Sequence, residues 1–106
     1  MRLVESLPKR GAGSVIARQL LRAGTSVGAN YRAATRARSS KDFVNKLSIV
    51  EEEADESLYW MELLTEAGLI TQKKLAPLMT EAEEILAMTV ASVNTVRKRG
   101  HAKRAH

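Results

Sequence analysis

Between Phe43 and Leu64 the core-type residues fall at Phe43, Leu47, Val50, Ala54, Ser57, Met61 and Leu64, a spacing of four and three sustained for three heptads. That repeat turns one face of a helix toward a partner along its whole length. A strand cannot use it, because strand faces alternate every second residue. Ser39 or Ser40 is placed to cap this helix, and Asp42 lies in its first turn, where the dipole favours an acid. Gly68 follows Ala67 as a natural C′ residue. At 1.5 Å per residue such a helix is about 40–45 Å long.

The flanking segments keep the same period. Ile16, Leu20, Ala23, Val27, Tyr31 and Ala34 form a stripe on a helix over residues 14–37, with Ser14 as its cap. Gly24, Gly28, Ala29 and Ala33 on that helix would let a neighbouring helix approach closely. Mid-helix glycine costs up to about 1 kcal/mol relative to alanine, so a packing reason is expected. Leu75, Leu78, Ala82, Ile85, Leu86, Val90, Val93 and Val96 predict a further helix of about six turns. Thr71 is its cap, and Pro77 either kinks it or marks its effective start. Residues 2–7 suit a short helical piece, broken by Pro8 and Gly11-Ala12-Gly13. Short connections make neighbours antiparallel, so the expected class is all-α, an up-down bundle with a short first helix. Residues 1–99 read as one helical domain. Gly100 ends the pattern, and residues 100–106 are expected to be a disordered basic tail.

Chemistry is scarce. The 106 residues include no Cys, and the two His, His101 and His106, lie at the C-terminus. Disulfides, thiolate metal sites and Cys nucleophiles are excluded, and a core without His is a poor place for acid–base work near neutral pH. Glu51 and Asp55 stand one turn apart, as do Glu52 and Glu56. In di-iron bundles such carboxylates are joined by a Glu-x-x-His pair on the same helix. No such His exists here, so these acids read as a solvated face. Gly11-Ala12-Gly13 lacks the preceding strand and following Lys of a phosphate loop. No enzyme activity, cofactor or metal is expected. No apolar run approaches the length of a membrane span and residues 1–30 hold no signal-type apolar region, so the expectation is a soluble, cytoplasmic protein.

Charge is segregated. Residues 1–38 hold eight basic residues and one acid, residues 39–70 two and eight, residues 71–106 seven and three. Residues 1–96 balance at twelve of each, so the net charge of +5 resides in Arg97, Lys98, Arg99, Lys103 and Arg104. One reading is a basic and an acidic helix exchanging rim charges, with the tail a solvated end. The other is a basic arm contacting nucleic acid through phosphates. Arg32, Arg36 and Arg38, with Lys41, form a second cluster, which either neutralises the acidic helix or touches phosphates. Asn30, polar among apolar and small residues, is placed to bond across the bundle. At 100° per residue Ile49, Trp60 and Leu63 lie well away from the Phe43 seam. A bundle buries one face of such a helix, so this second apolar patch predicts a subunit interface, where Trp is enriched.

The segment Ser26-Val27-Gly28-Ala29-Asn30-Tyr31-Arg32-Ala33-Ala34, followed by Ser39-Ser40-Lys41-Asp42-Phe43, carries a resemblance, as does Glu51-Glu52-Glu53-Ala54-Asp55-Glu56-Ser57-Leu58-Tyr59-Trp60-Met61-Glu62-Leu63-Leu64. Together they resemble the bacterial four-helix bundle proteins first noted as products of intervening sequences in 23S ribosomal RNA genes. Where many members carry a Glu after the Asn, Ala33 and Ala34 stand here. The first helix looks short against the family. The resemblance implies a four-helix up-down bundle that assembles as a ring-like homopentamer, with no known enzymatic activity. A related branch comprises accessory proteins of diversity-generating retroelements, which bind nucleic acid and a reverse transcriptase. Two functions therefore compete. The first is a non-enzymatic homo-oligomer that binds RNA or DNA through Arg97, Lys98, Arg99, Lys103 and Arg104, supported by Arg32, Arg36 and Arg38. The second is a protein-interaction scaffold, or accessory subunit of a reverse transcriptase or other element-encoded protein, using the Glu51–Glu56 face.

Overall fold

The computed structural model describes residues 10–104, and their side chains as far as residue 100. Three helices follow one another: α1 (Gly11–Thr35), α2 (Ser40–Glu66) and α3 (Gln72–Arg104). The all-α class is observed. Four helices are not: the described residues hold three, and the piece expected over residues 2–7 lies outside them.

The α2 boundaries follow the local chemistry. Ser39 takes an extended backbone and its hydroxyl accepts the Asp42 N–H at 3.0 Å. Gly68 has φ 70, the left-handed conformation that ends a helix with little cost only at glycine. The Leu69 N–H then donates back to the Leu64 carbonyl. Thr71 caps α3 more loosely, accepting from the Lys74 N–H at 3.4 Å.

Three boundaries differ from expectation. α1 starts at Gly11, not Ser14, and ends at Thr35. The chain enters it through Gly11 at φ 70, and the Ser14 hydroxyl donates to the Gly11 carbonyl instead of capping. The Gly11–Gly13 cluster is thus the first turn of the helix, and Gly13 is buried. Pro77 neither delays α3 nor stops it: the helix runs on through it, although proline cannot donate the hydrogen bond that this position would make to the Lys73 carbonyl. Gly100 does not end α3 either: the backbone stays helical through Arg104, carried by the good helix formers Arg97, Lys98, Arg99 and Ala102. The result is 33 residues, about 50 Å, where six turns were expected.

α2 is the shared wall. It packs against α1 on one side and α3 on the other, while the backbones of α1 and α3 stay apart. Its seam is buried at Leu47, Val50, Ala54, Ser57, Met61 and Leu64, with Phe43 half-buried. One apolar cluster joins Ala17 and Leu20 of α1 with Met61, Leu64, Ile70, Leu75 and Ala82. A second joins Ala34, Leu47, Val50 and Val93 at the other end. Leu64 and Leu75 are fully buried, each contributing on the order of 2 kcal/mol by leaving water. On α3 the buried line runs Leu75, Ala82, Thr89, Val93, and Val90 of the expected stripe is 42 % exposed.

Because α1 and α3 stand apart, a groove of about 300 Å³ runs between them, floored by Ala54, Ser57 and Met61 of α2. The helices occupy three corners of a square in cross-section, and the groove is the fourth.

Candidate nucleic-acid interface

α1 and α3 run in the same direction, both opposite to α2, so the end of α1, the start of α2 and the last third of α3 share one end of the molecule. The contacts fix this. Val93 packs with Ala34 and Leu47, and Thr89 and Ser92 line a small cavity with Tyr31, Thr35 and Phe43. Arg97, Lys98 and Arg99 follow Val93 within two helical turns, and Arg36, Arg38 and Lys41 flank the α1–α2 connection. Two basic sets some sixty residues apart in sequence are thereby brought to the same end.

Arg32, Arg36, Arg38, Lys41, Arg97, Lys98 and Arg99 are all exposed. None of them is paired with a carboxylate among the described residues. Lys103 and Arg104 extend the series along the final helical turn. Basic side chains here also face the negative ends of α1 and α3, which stabilises the helices whether or not a ligand binds. The cluster can attract phosphates. No set of three or more metal-ligating side chains occurs among the described residues.

The exchange of charge between α1 and α2 is carried by Arg22, which sequence reading did not single out. Its guanidinium reaches Glu53 at 3.3 Å and forms a closer ion pair with Glu56. Glu56 also accepts the Trp60 indole N–H at 3.1 Å. The hydrogen bond from Arg22, then that from Trp60, hold the Glu56 carboxyl below the usual carboxylate range, and the same bond raises Arg22 above its ordinary value. The signal available was an arginine on the outer edge of a basic helix facing an acidic one, but which carboxylates it meets depends on the register of the two helices.

Trp60 also packs on the first apolar cluster and stacks edge-on with Tyr59, ring centroids 4.9 Å apart. It is half-buried within its own chain, as are Ile49 and Leu63. The chain itself thus covers part of the patch expected to need a partner. Asn30 does not cross the bundle: its amide donates to the carbonyl and hydroxyl of Ser26, one turn back on α1. Glu51, Glu52, Asp55, Glu62 and Glu66 are exposed on α2 as an acidic face. No helix among the described residues is long and apolar enough to cross a membrane.

Comparison with known proteins agrees with this architecture. A solved structure, described as a protein with unknown function from the S23 ribosomal protein family of Bacteroides thetaiotaomicron, is similar with a TM-score of 0.72 and 40 % identity. The similarity covers 74 % of this chain and 73 % of that one. No curated protein matches. The family described as 23S rRNA-intervening sequence protein matches over residues 1–91, stopping short of the basic end of α3. With six-sevenths of its length inside that match, the chain belongs to the 23S rRNA-intervening sequence protein family.

Proposed function

We propose that this chain is a non-enzymatic, homo-oligomeric, cytoplasmic helical protein that binds RNA or DNA through the basic end of the bundle. The observation that carries the reading is the convergence of Arg32, Arg36 and Arg38 with Arg97, Lys98 and Arg99 at one end, exposed and without carboxylate partners among the described residues. Lys103 and Arg104 add to the same grip. Contacts of this type go to phosphates, so binding is strongly salt-dependent and weakly sequence-specific. Association of several copies, five in the ring that the family resemblance implies, multiplies a weak grip by avidity.

The test is fluorescence anisotropy of labelled single- and double-stranded RNA and DNA, titrated with the full chain and with residues 1–96. Expected is binding that falls steeply between about 50 and 200 mM salt, with a shallower salt slope for the truncated chain. Absence of binding by either form at low salt refutes the reading. The exposed acidic face of α2 favours a second reading, an accessory protein that docks a basic surface of a reverse transcriptase or another element-encoded protein. In that case truncation leaves the partner bound.

A further inference from the structure

At the basic end a cavity of about 70 Å³ lies between α1, the start of α2 and α3. Tyr31 and Thr35 of α1, Phe43 of α2, and Met88 and Ser92 of α3 line it. Tyr31 is 41 % exposed and Met88 44 %, whereas Phe43 is half-buried. A phenol ring and a thioether are thus left open to solvent. Long helical side chains lean back over the turn before them, and for Tyr31 that turn holds Gly28. Gly28 is exposed, and a Cβ there would meet nothing within 4 Å, so this flank of the ring is open. Glycine is unfavourable mid-helix and suits a place where a ligand comes close to the backbone.

The surroundings set the charge of the occupant. Residues 27–50 and 85–104, which enclose this end, hold ten basic residues and one acid, Asp42. Arg36 lies five residues past Tyr31, about 7.5 Å along α1, and Arg97 nine residues past Met88, about 14 Å along α3. An open aromatic ring between unpaired cations is what holds a single strand: a base stacks on the ring and the phosphates go to the cations. A base inside a duplex is already stacked and paired, so it cannot use the ring. The cavity has room for about two waters, enough for the polar edge of a base while its ring stays at the mouth. Ser92 offers a hydroxyl there, and Thr35, which donates to the Arg32 carbonyl, keeps acceptor lone pairs.

We propose that this pocket is a stacking site for one unpaired base of single-stranded RNA or DNA, with Tyr31 as the platform. Met88 closes the opposite side of the mouth, and the flanking arginines take the phosphates on either side of the base. The proposal rests on the nucleic-acid reading above and adds to it a contact that carries no charge.

Anisotropy titrations of the full chain test it with three labelled probes: a single strand of about twelve nucleotides, the same strand made abasic, and its duplex. The first two carry equal charge. The base-bearing strand should bind at least about fivefold tighter than the abasic one. Tyr31→Ala should remove that difference and leave the abasic strand, the duplex and the salt slope within about twofold of wild type, because no phosphate contact is lost. Tyr31→Phe should keep the difference, since the ring remains. Equal binding of base-bearing and abasic strands by the wild type overturns the pocket, and so does a Tyr31→Ala protein that still tells them apart. In both cases salt-sensitive binding leaves the phosphate reading standing. Loss of all three probes alike in Tyr31→Ala, or a changed sedimenting mass, gives the ring a structural or copy-to-copy role and also overturns the pocket. No binding of any probe by the wild type at about 50 mM salt refutes both readings.

Discussion

Thr89 is 1 % exposed, and its hydroxyl has no hydrogen-bond partner. Five other helical hydroxyls show what it forgoes: Thr25, Ser48, Ser57, Thr65 and Thr95 each donate to the carbonyl four residues back. For Thr89 that carbonyl would be Ile85. Thr89 instead belongs to the buried line between Ala82 and Val93, with its hydroxyl buried. Leaving a hydroxyl buried and unpaired costs about 1–3 kcal/mol. Thr89→Val keeps the shape and the branching, so helix propensity hardly changes. The variant should gain about 1–3 kcal/mol, and for a chain of this size each kcal/mol raises Tm by about 4–8 °C. Thr89→Ser keeps the unpaired hydroxyl and removes the buried methyl, so it should lose about 1 kcal/mol. Paired thermal and urea melts followed by circular dichroism read both changes. A Thr89→Val protein less stable than wild type would mean that the hydroxyl is satisfied in solution, and the reasoning would fail.

Leu64, fully buried between α1 and α3 on the α2 seam, should lose about 2–5 kcal/mol when replaced by alanine, seen as a lower urea midpoint at unchanged slope. Glu56, held below the usual carboxylate range by Arg22 and Trp60, contributes stability that is present above its ordinary value of 4.5 and lost as pH falls through its lower folded value. Urea midpoints followed from about pH 6 to pH 3 should therefore drop less in Glu56→Gln than in wild type, and parallel curves would refute the assigned bond.

The Phe43–Leu64 seam was legible because every position on it answers to one neighbour pattern, and its ends are marked by the two residue types, serine and glycine, that cap for local reasons. The start of α1 was misplaced because Gly11 and Gly13 read as breakers. In the fold one supplies a left-handed turn and the other a buried, side-chain-free contact. Apolarity favoured Val90 over Thr89, but steps of four from Ile85 to Thr89 to Val93 keep to the α2-facing line, and Val90 falls off it. Of the candidate site, the charges were readable one by one. That Arg36 and Arg97 share an end depends on the up-down turn sequence and on α3 remaining helical past Gly100. The groove was not legible, since a stripe of apolar residues does not tell which of its neighbours is missing. Gly24 and Gly28 predicted a close approach that the described chain does not itself make.

The distance between the backbones of α1 and α3 also shapes how the chain folds. Every close backbone approach between helices joins elements adjacent in sequence, so loops of only four or five residues need closing before each pair of helices can zip. Contact order is low, and assembly in the microsecond-to-millisecond range is the regime for such topologies. Either outer helix can peel away while the other stays docked, so α2 is the last to release its amides to exchange. The basic end and the open groove sit on the two helices that let go first.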